Sequence, residues 1–440
     1  MNEDQDMSDP ANRSQQIREK SEKYFFPSAR MYYEEPLVIE RGRGATVVDA
    51  EGREFLDFFG GILTVGLGHC HPKVTERLTD QAARLQHAST LYLTEPSVEL
   101  AEKLAQITPG RLQKTFFTNS GSEANETAVL AARSYTGRHE VVALRGGYSG
   151  RTSLAMSLTG QSPWRQPGSG LGGGVVHVAN PYCYRCPYEQ TYPSCDLLCA
   201  RDIEQVIQTA TGGQIAAFIA EPIQGVGGFI TPPKEYFQVA VEIVRRYGGI
   251  FICDEVQTAF GRTGEKMFGI QHYGVEPEVM TLAKTLGNGA PIGATVAVPE
   301  VADSLKGMTI STFGGNPVST EAARATIDVI VSEELVHNAQ VVGQHLRGRL
   351  EALKERFPLV GDVRGMGLMQ AIELVEEDKR PAAEALDRVF EETKKRGLLI
   401  GKGGIYGNVI RLTPPLNIAR SDVDTAVDIL EASLEAAAAG

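Results

Sequence analysis

Residues 115–133, TFFTNSGSEANETAVLAAR, decide the fold. The run TFFTN halts at Ser120-Gly121-Ser122-Glu123, and Ala124, Ala128, Ala131 and Ala132 then recur at helical spacing. The stretch therefore predicts a strand, a tight turn and a helix that begins at or near Ser122. Ser120 and Glu123 fit a capping box. Glycine at 121 lets backbone approach closely, and a helix N-terminus offers unpaired N–H groups and a positive dipole end, which together make a site for a phosphate. A plain capped helix explains the same residues equally well.

The same alternation extends in both directions. From about residue 70 to 330, short apolar runs bounded by Gly, Pro and Asn alternate with helical stretches such as 122–136 and 234–247, the pattern of strand-helix units around a mostly parallel sheet. Beyond 330, helices near 333–356, 382–396 and 422–437 flank strand-like runs at 367–375 and 408–412, which predicts a smaller α/β domain. Ahead of the sheet, residues 25–61 alternate like short strands with turns at Gly42, Gly44 and Gly52, while residues 1 to about 22 are polar and predict a frayed end. The Ala-rich tail after Glu435 predicts the fraying end of a helix. The expected division is an N-terminal segment, 1–69, contributing to the small domain and the active-site entrance, a large domain at 70–330, and a C-terminal small domain at 331–440.

Composition narrows the partners. Forty-three basic against 55 acidic side chains give −12, a balance that disfavours nucleic acid and anionic membrane, both of which select for basic surface. The opening MNEDQDMSDP lacks the basic start and apolar run of a secretory signal and the Arg-rich amphipathicity of a transit peptide, so a cytoplasmic protein is expected. No apolar run approaches the ~20 residues that span a bilayer. Six cysteines are too few for a disulfide scaffold. Four of them, Cys183, Cys186, Cys195 and Cys199, stand as C-x2-C-x8-C-x3-C, a spacing open to thiolate ligation of zinc, to disulfides or to free thiols in a surface loop. Cys70 between His69 and His71 reads as a turn closed by Pro72, because two histidines without a third ligand make a poor cage.

Ligands of open α/β sheets bind beyond the carboxyl ends of the strands, so residues that end buried apolar runs carry the chemistry. IAAFIA ends in Glu221, GGIFIC in Asp254-Glu255, and EVMTLA in Lys284 before the flexible turn Thr285-Leu286-Gly287-Asn288-Gly289. An acid directly after a buried strand is either neutralised by a cation or used as a cap. A desolvated lysine on the same edge can act as a Schiff-base nucleophile, and an ionised Asp254 can hold a proton on a heterocyclic nitrogen. For a lone lysine and acid a structural ion pair is the simpler reading. The phosphate cradle beside them weakens it.

Phosphate anchor, lysine and buried acid are the three attachments that pyridoxal phosphate requires. Through SGSEANE at 120–126, EPIQG at 221–225, DEVQTAFGRTG at 254–264, AKTLGNGAPIGA at 283–294 and TFGGNP at 312–317, the chain resembles the class III (ω-type) aminotransferases of the fold-type-I pyridoxal phosphate enzymes. The resemblance runs from LDFFGGI at 56–62 to VIRLTPPL at 409–416. It implies that Lys284 carries the cofactor and shuttles the substrate proton, and that Asp254 keeps the ring nitrogen protonated. Gly121 and Ser122 would hold the phosphate, Tyr148 and Val256 would cover the two ring faces, and Gln257 would contact the ring hydroxyl. Thr312 would reach the phosphate of the neighbouring subunit, which implies a homodimer with shared active sites or a tetramer built from it. Arg411 would receive the substrate carboxylate as a bidentate pair. The plainer alternatives are core packing for Tyr148 and Val256 and a surface ion pair for Arg411, and the completeness of the constellation favours the functional readings.

Two departures shape the expected specificity. Ser149 stands where the family commonly has histidine after the aromatic, and Val226 stands where members using γ-aminobutyrate or ornithine with 2-oxoglutarate usually have glutamate. That glutamate masks the arginine while an ω-amine is bound. An unmasked Arg411 favours alanine with pyruvate or glyoxylate, so the alanine–glyoxylate and pyruvate-dependent ω-amino acid or amine branches look most similar. Tyr33, Phe59 and Ile62 are expected to line an apolar pocket open to ω-amino acids, β-amino acids, alanine or simple amines. The rival readings are a 2-oxoglutarate-dependent 4-aminobutyrate-type enzyme, a phospho-lyase with Arg151 and Arg165 as its extra cations, and a metal-binding interaction protein using the cysteine loop. No strand is followed by G-x-G-x-x-G, which argues against a nicotinamide dehydrogenase.

Overall fold

The four runs VVAL, AFIA, IFICD and VMTL show no polar alternation, and all four are buried along their length. Strands buried on both faces belong in the middle of a parallel sheet covered by helices. In the computed structural model, which describes residues 10–29, 31–166 and 172–439, they lie at the centre of a seven-stranded sheet. Its order is Lys114–Thr118, Gly293–Ala297, Val279–Leu282, Ile250–Asp254, Ala217–Ala220, Val141–Leu144, Val175–Val178. Within it only Gly293–Ala297 pairs antiparallel to its neighbours. The Gly121–Thr136 helix packs against the Gly293–Ala297 and Val279–Leu282 strands, and Tyr236–Arg246 against Ile250–Asp254. Because the parallel strands end on one side, Ser120, Glu221, Asp254 and Lys284 arrive at a common edge.

Two smaller sheets complete the fold. Ile39–Arg43, Thr46–Asp49 and Glu54–Asp57 form an antiparallel meander that Leu398–Leu399 joins in parallel, so one sheet ties the early chain to the late chain. Val360–Met366, Met369–Leu374, Val409–Leu412 and Gly401–Gly403 form the other, with Arg411 paired between Ala371 and Gly401. Helices Leu335–Arg356 and Ala383–Lys395 pack beside it, and Arg420–Ala439 packs on both of them.

Three expectations are corrected. Within the stretch read as frayed, Pro10–Tyr24 is a helix, held by Arg18 to Glu35, Glu51 and the Pro36 carbonyl; residues 1–9 lie outside the described residues. Ion pairs rather than an apolar stripe dock it, which leaves no hydrophobic period to read. The Ala-rich tail does not fray after Glu435: the helix runs to Ala439, Ala437 is buried, and its carbonyl accepts from Arg388. A separate helix, Pro317–Ser332, precedes the one expected near 333. It starts at Asn316, whose side chain accepts from Val318 N and Ser319 N, followed by proline at its first position. Among the described residues no helix is long and apolar enough to cross a membrane.

Candidate active site

Asp254 ends the central strand and is buried, with Oδ2 accepting from Asn125 Nδ2 at 2.8 Å and Oδ1 from Val256 N at 3.1 Å. Burial raises its pKa, while those two donors and the Lys284 ammonium pull against the rise. Glu221 accepts from Tyr148 N at 3.0 Å and Gly225 N at 2.8 Å, and burial together with Asp254 pushes its carboxyl up to about 8. Glu255, one residue past Asp254, faces elsewhere. It takes Thr258 Oγ1 at 2.6 Å, Gly269 N at 3.0 Å and Ile270 N at 2.7 Å, and so caps the Gly269–Tyr273 turn. Lys284 sits in the left-handed region at φ 51°. A side chain held there costs of order 1 kcal/mol or more, strain that persists where the surroundings over-determine it. Burial of its amine is the largest influence and brings the pKa down from 10.5 to about 8, against the pull of Asp254 and Glu221. The residue as a whole keeps partial exposure, as Gly121, Ser122, Tyr148 and Val256 do. Gly121 stands beside Val256 and beside Ala283, the residue before Lys284.

The helix start is shaped for an anion. Ser120 Oγ accepts from Glu123 N and its carbonyl from Ala124 N, which leaves the first N–H groups of the helix facing outward. The capping box is displaced by one residue: Glu123 Oε2 takes Asn119 N rather than the N–H of Ser120. A Cβ on Gly121 would stand 3.1 Å from a Val256 methyl, so glycine sets how closely the turn approaches that wall. Ser122 Oγ accepts from Arg151 N at 3.2 Å. Gln257 is buried with its Oε1 lacking any partner, and a Cβ on Gly225 would lie 2.2 Å from its amide. An orphaned buried acceptor beside a glycine cradle fits a bound group that supplies the missing partner. Tyr148 packs its ring edge-on to Trp164, centroids 5.4 Å apart.

At the mouth, Arg411 is 2% exposed and has no carboxylate partner among the described residues. Its Nε and Nη2 donate to the Lys402 carbonyl at 3.0 and 2.8 Å, and its Nη1 to that of Gly225 at 3.4 Å. The guanidinium lies 4.9 Å from the Phe59 ring and 5.7 Å from Phe229. Burial lowers its pKa, opposed by Tyr32 and Glu221. It is not a surface ion pair. Val226, 8% exposed, gives its carbonyl to Gly404 N at 2.9 Å, next to the Gly225 carbonyl that Arg411 reaches.

The sequence profile "Aminotransferase class-III" matches residues 28–434. The chain belongs to the class III aminotransferases. It is 42% identical over 421 residues to "Alanine--glyoxylate aminotransferase 2 homolog 2, mitochondrial" of Arabidopsis thaliana, covering 95% of this chain and 87% of that one. It is 40% identical over 418 residues to the acetylornithine aminotransferase of Methanothermobacter thermautotrophicus, covering 95% and 98%. An amine transaminase from an uncultivated Pseudomonas species, solved in its PLP-bound form, superposes with a TM-score of 0.88 at 34% identity, over 94% of this chain and 98% of the other. The fold is that of the fold-type-I enzymes, and class III aminotransferases depend on pyridoxal 5'-phosphate.

Within this class III chain, not every residue singled out from sequence gathers at the crevice. Tyr33 turns to the Ala383–Lys395 helix, stacked 4.8 Å from Phe390 under Lys394, and its neighbour Tyr32 packs between Phe390 and Phe59, at 5.5 and 5.8 Å. Phe59 is buried, held with Gly60 by Asp57 Oδ1 at 2.9 Å each, while Ile62 is exposed on a left-handed turn at φ 67°. Thr312 is exposed, on a loop whose Met308, Ile310 and Phe313 are exposed too. Arg165 is occupied by the Thr159 and Ser157 carbonyls. The four clustered cysteines are free and line one cavity with Tyr182, Tyr188 and Pro233. Among the described residues no three or more His, Cys, Asp or Glu are arranged to hold a metal. Sequence reasoning missed Asn125 and Tyr32. Asn125 lies inside SGSEANE, but nothing local indicates that its amide crosses to Asp254.

Proposed function

We propose that this aminotransferase moves an amino group from an ω-amino acid, β-amino acid, alanine or simple amine to a small 2-oxo acid such as pyruvate or glyoxylate, in ping-pong fashion. The observation that carries the reading is Arg411: a buried guanidinium held by carbonyls and the Tyr32 side chain, with no carboxylate partner among the described residues and valine rather than an acid at 226. Such a group lacks a counter-charge until a carboxylate arrives, and a bidentate pair then satisfies it. Bound pyridoxal phosphate supplies a heterocycle that draws electron density from the substrate's α-carbon. Lys284 holds it, and the same amine then carries the proton taken from that carbon, a task suited to a pKa of about 8. Asp254, ionised, keeps the proton on the ring nitrogen. The N–H groups at Gly121 and Ser122 bind the phosphate, Tyr148 and Val256 enclose the ring, and Gln257 meets its hydroxyl. Phe59 and Ile62, with Tyr32 in the place expected for Tyr33, shape the donor pocket. Thr312 serves the partner subunit of a homodimer, a role supported by its exposure beside Met308, Ile310 and Phe313.

The test is a panel of amine donors assayed with pyruvate, glyoxylate and 2-oxoglutarate. The account expects the two short acceptors to be preferred and Val226→Glu to shift preference toward 2-oxoglutarate. Dominant 2-oxoglutarate use by the unaltered enzyme contradicts it, as does phosphate and ammonia release from an amino-alcohol phosphate without any acceptor.

A further inference from the structure

One buried amide ties together three segments around the proposed site. Asn125 is 1% exposed in the second turn of the Gly121–Thr136 helix. Its Nδ2 donates to Asp254 Oδ2 at 2.8 Å and to the Ser149 carbonyl at 2.9 Å, and its Oδ1 accepts from Thr281 Oγ1 at 2.7 Å. These partners fix which end of the amide is which. An ionised carboxylate and a backbone carbonyl can only accept, so both demand the NH2 end, and the hydroxyl of Thr281 takes the oxygen. Ser149 follows Tyr148 on the segment over the crevice. Thr281, fully buried, pairs in register with Asp254 three residues ahead of Lys284.

We propose that Asn125 is the positioning residue that aims Asp254 and keeps it ionised, and that Thr281 locks the amide in the orientation this requires. The inference rests on the reading that Asp254 faces the ring nitrogen. Both hydrogens of the Asn125 amide are committed, one to the acid and one to the Tyr148–Ser149 segment, so the acid and the ring cover are set from one point. Without the Thr281 hydroxyl the amide oxygen is left buried without a donor, and the amide is no longer held square to Asp254. A weakened Asn125–Asp254 bond gives less support to the charged form of an acid that burial already opposes. A protonated Asp254 no longer favours a proton on the ring.

Thr281→Val, Thr281→Ser and Asn125→Leu separate positioning from packing. Dissociation constants for pyridoxal phosphate and for its carbocyclic analogue, in which C–H replaces the ring nitrogen, are measured on cofactor-free protein by absorbance, and kcat and KM on the loaded enzyme. Thr281→Val and Asn125→Leu are expected to weaken pyridoxal phosphate by about 10-fold and leave the carbocyclic analogue within about 2-fold. They lower kcat with little change in KM, and Thr281→Ser restores both. Equal losses for the two ligands, or no loss in Thr281→Val, overturn the inference, and the Thr281 pair decides it even if Asn125→Leu fails to fold. Asp254→Asn run alongside keeps the two readings apart. If it too binds and turns over normally, the assignment of Asp254 is at fault; if it alone is crippled, only the role of Asn125 fails.

Discussion

Two buried clusters of charge lie on either side of the Gly225–Gly228 turn, and they are built oppositely. Around Glu373 every charge meets a partner: its carboxylate takes the Tyr182 hydroxyl, Arg185 Nε at 2.5 Å and Arg364 Nη1 at 2.8 Å, and Arg364 also reaches Asp362 at 2.8 Å and the Gly228 carbonyl at 2.7 Å. Burial works against that carboxylate, yet Arg364, Tyr182 and Arg185 hold its pKa below the ordinary value. Around Lys284 the same kinds of side chain stand without one ion pair among the described residues: Asp254 and Glu221 are held by amide N–H groups, Arg411 by carbonyls and the Tyr32 side chain, and both acids are pushed up rather than down. A closed network fixes structure. An open one is stable only because its missing partners arrive with cofactor and substrate, which is why perturbed acids and amines mark chemistry and satisfied ones do not.

The largest expected break in that contrast comes from Lys284→Ala, which should retain the fold yet lose transamination by several orders of magnitude in initial-rate assays. Next, Glu373→Leu strands Arg364 and Arg185 and should cost about 3–5 kcal/mol in denaturant unfolding. Arg411→Met in cofactor-free protein should cost nothing measurable by the same assay, yet raise KM for 2-oxo acids by about 10- to 100-fold. A fourth effect is one of pH. The neutral amine is the nucleophile and is populated above its pKa, so covalent loading of cofactor-free protein should accelerate as pH rises through about 8, two units or more below an exposed lysine. A midpoint near the ordinary lysine value would close the gap between the clusters. The smallest effect belongs to the cysteine loop: Cys183→Ser with Cys186→Ser should leave kcat unchanged and cost about 1 kcal/mol or less in stability.

The central sheet was legible because its strands are buried on both faces, so apolar runs ending in Glu221, Asp254 and Lys284 announced both topology and chemistry. Glu255, next to Asp254 at the same strand end, had no role of its own legible in the sequence. Only the chain's return at Gly269 and Ile270 shows that Glu255 is a cap. The different packing of Tyr32 and Tyr33 was hidden for a related reason, since they lie in irregular backbone without the two-residue alternation that assigns side chains to faces. Asn125 was hidden by distance: its partners Asp254 and Thr281 are 129 and 156 residues away. The Pro10–Tyr24 helix, docked by ion pairs, carried no apolar period at all.

The most direct trial of the account is to load the protein with pyridoxal phosphate, reduce it with borohydride, digest it and locate the pyridoxyl group by peptide mass spectrometry. The account predicts a single modified lysine at 284, the residue that follows VMTLA. Modification at another lysine, or none despite saturating cofactor, would contradict it.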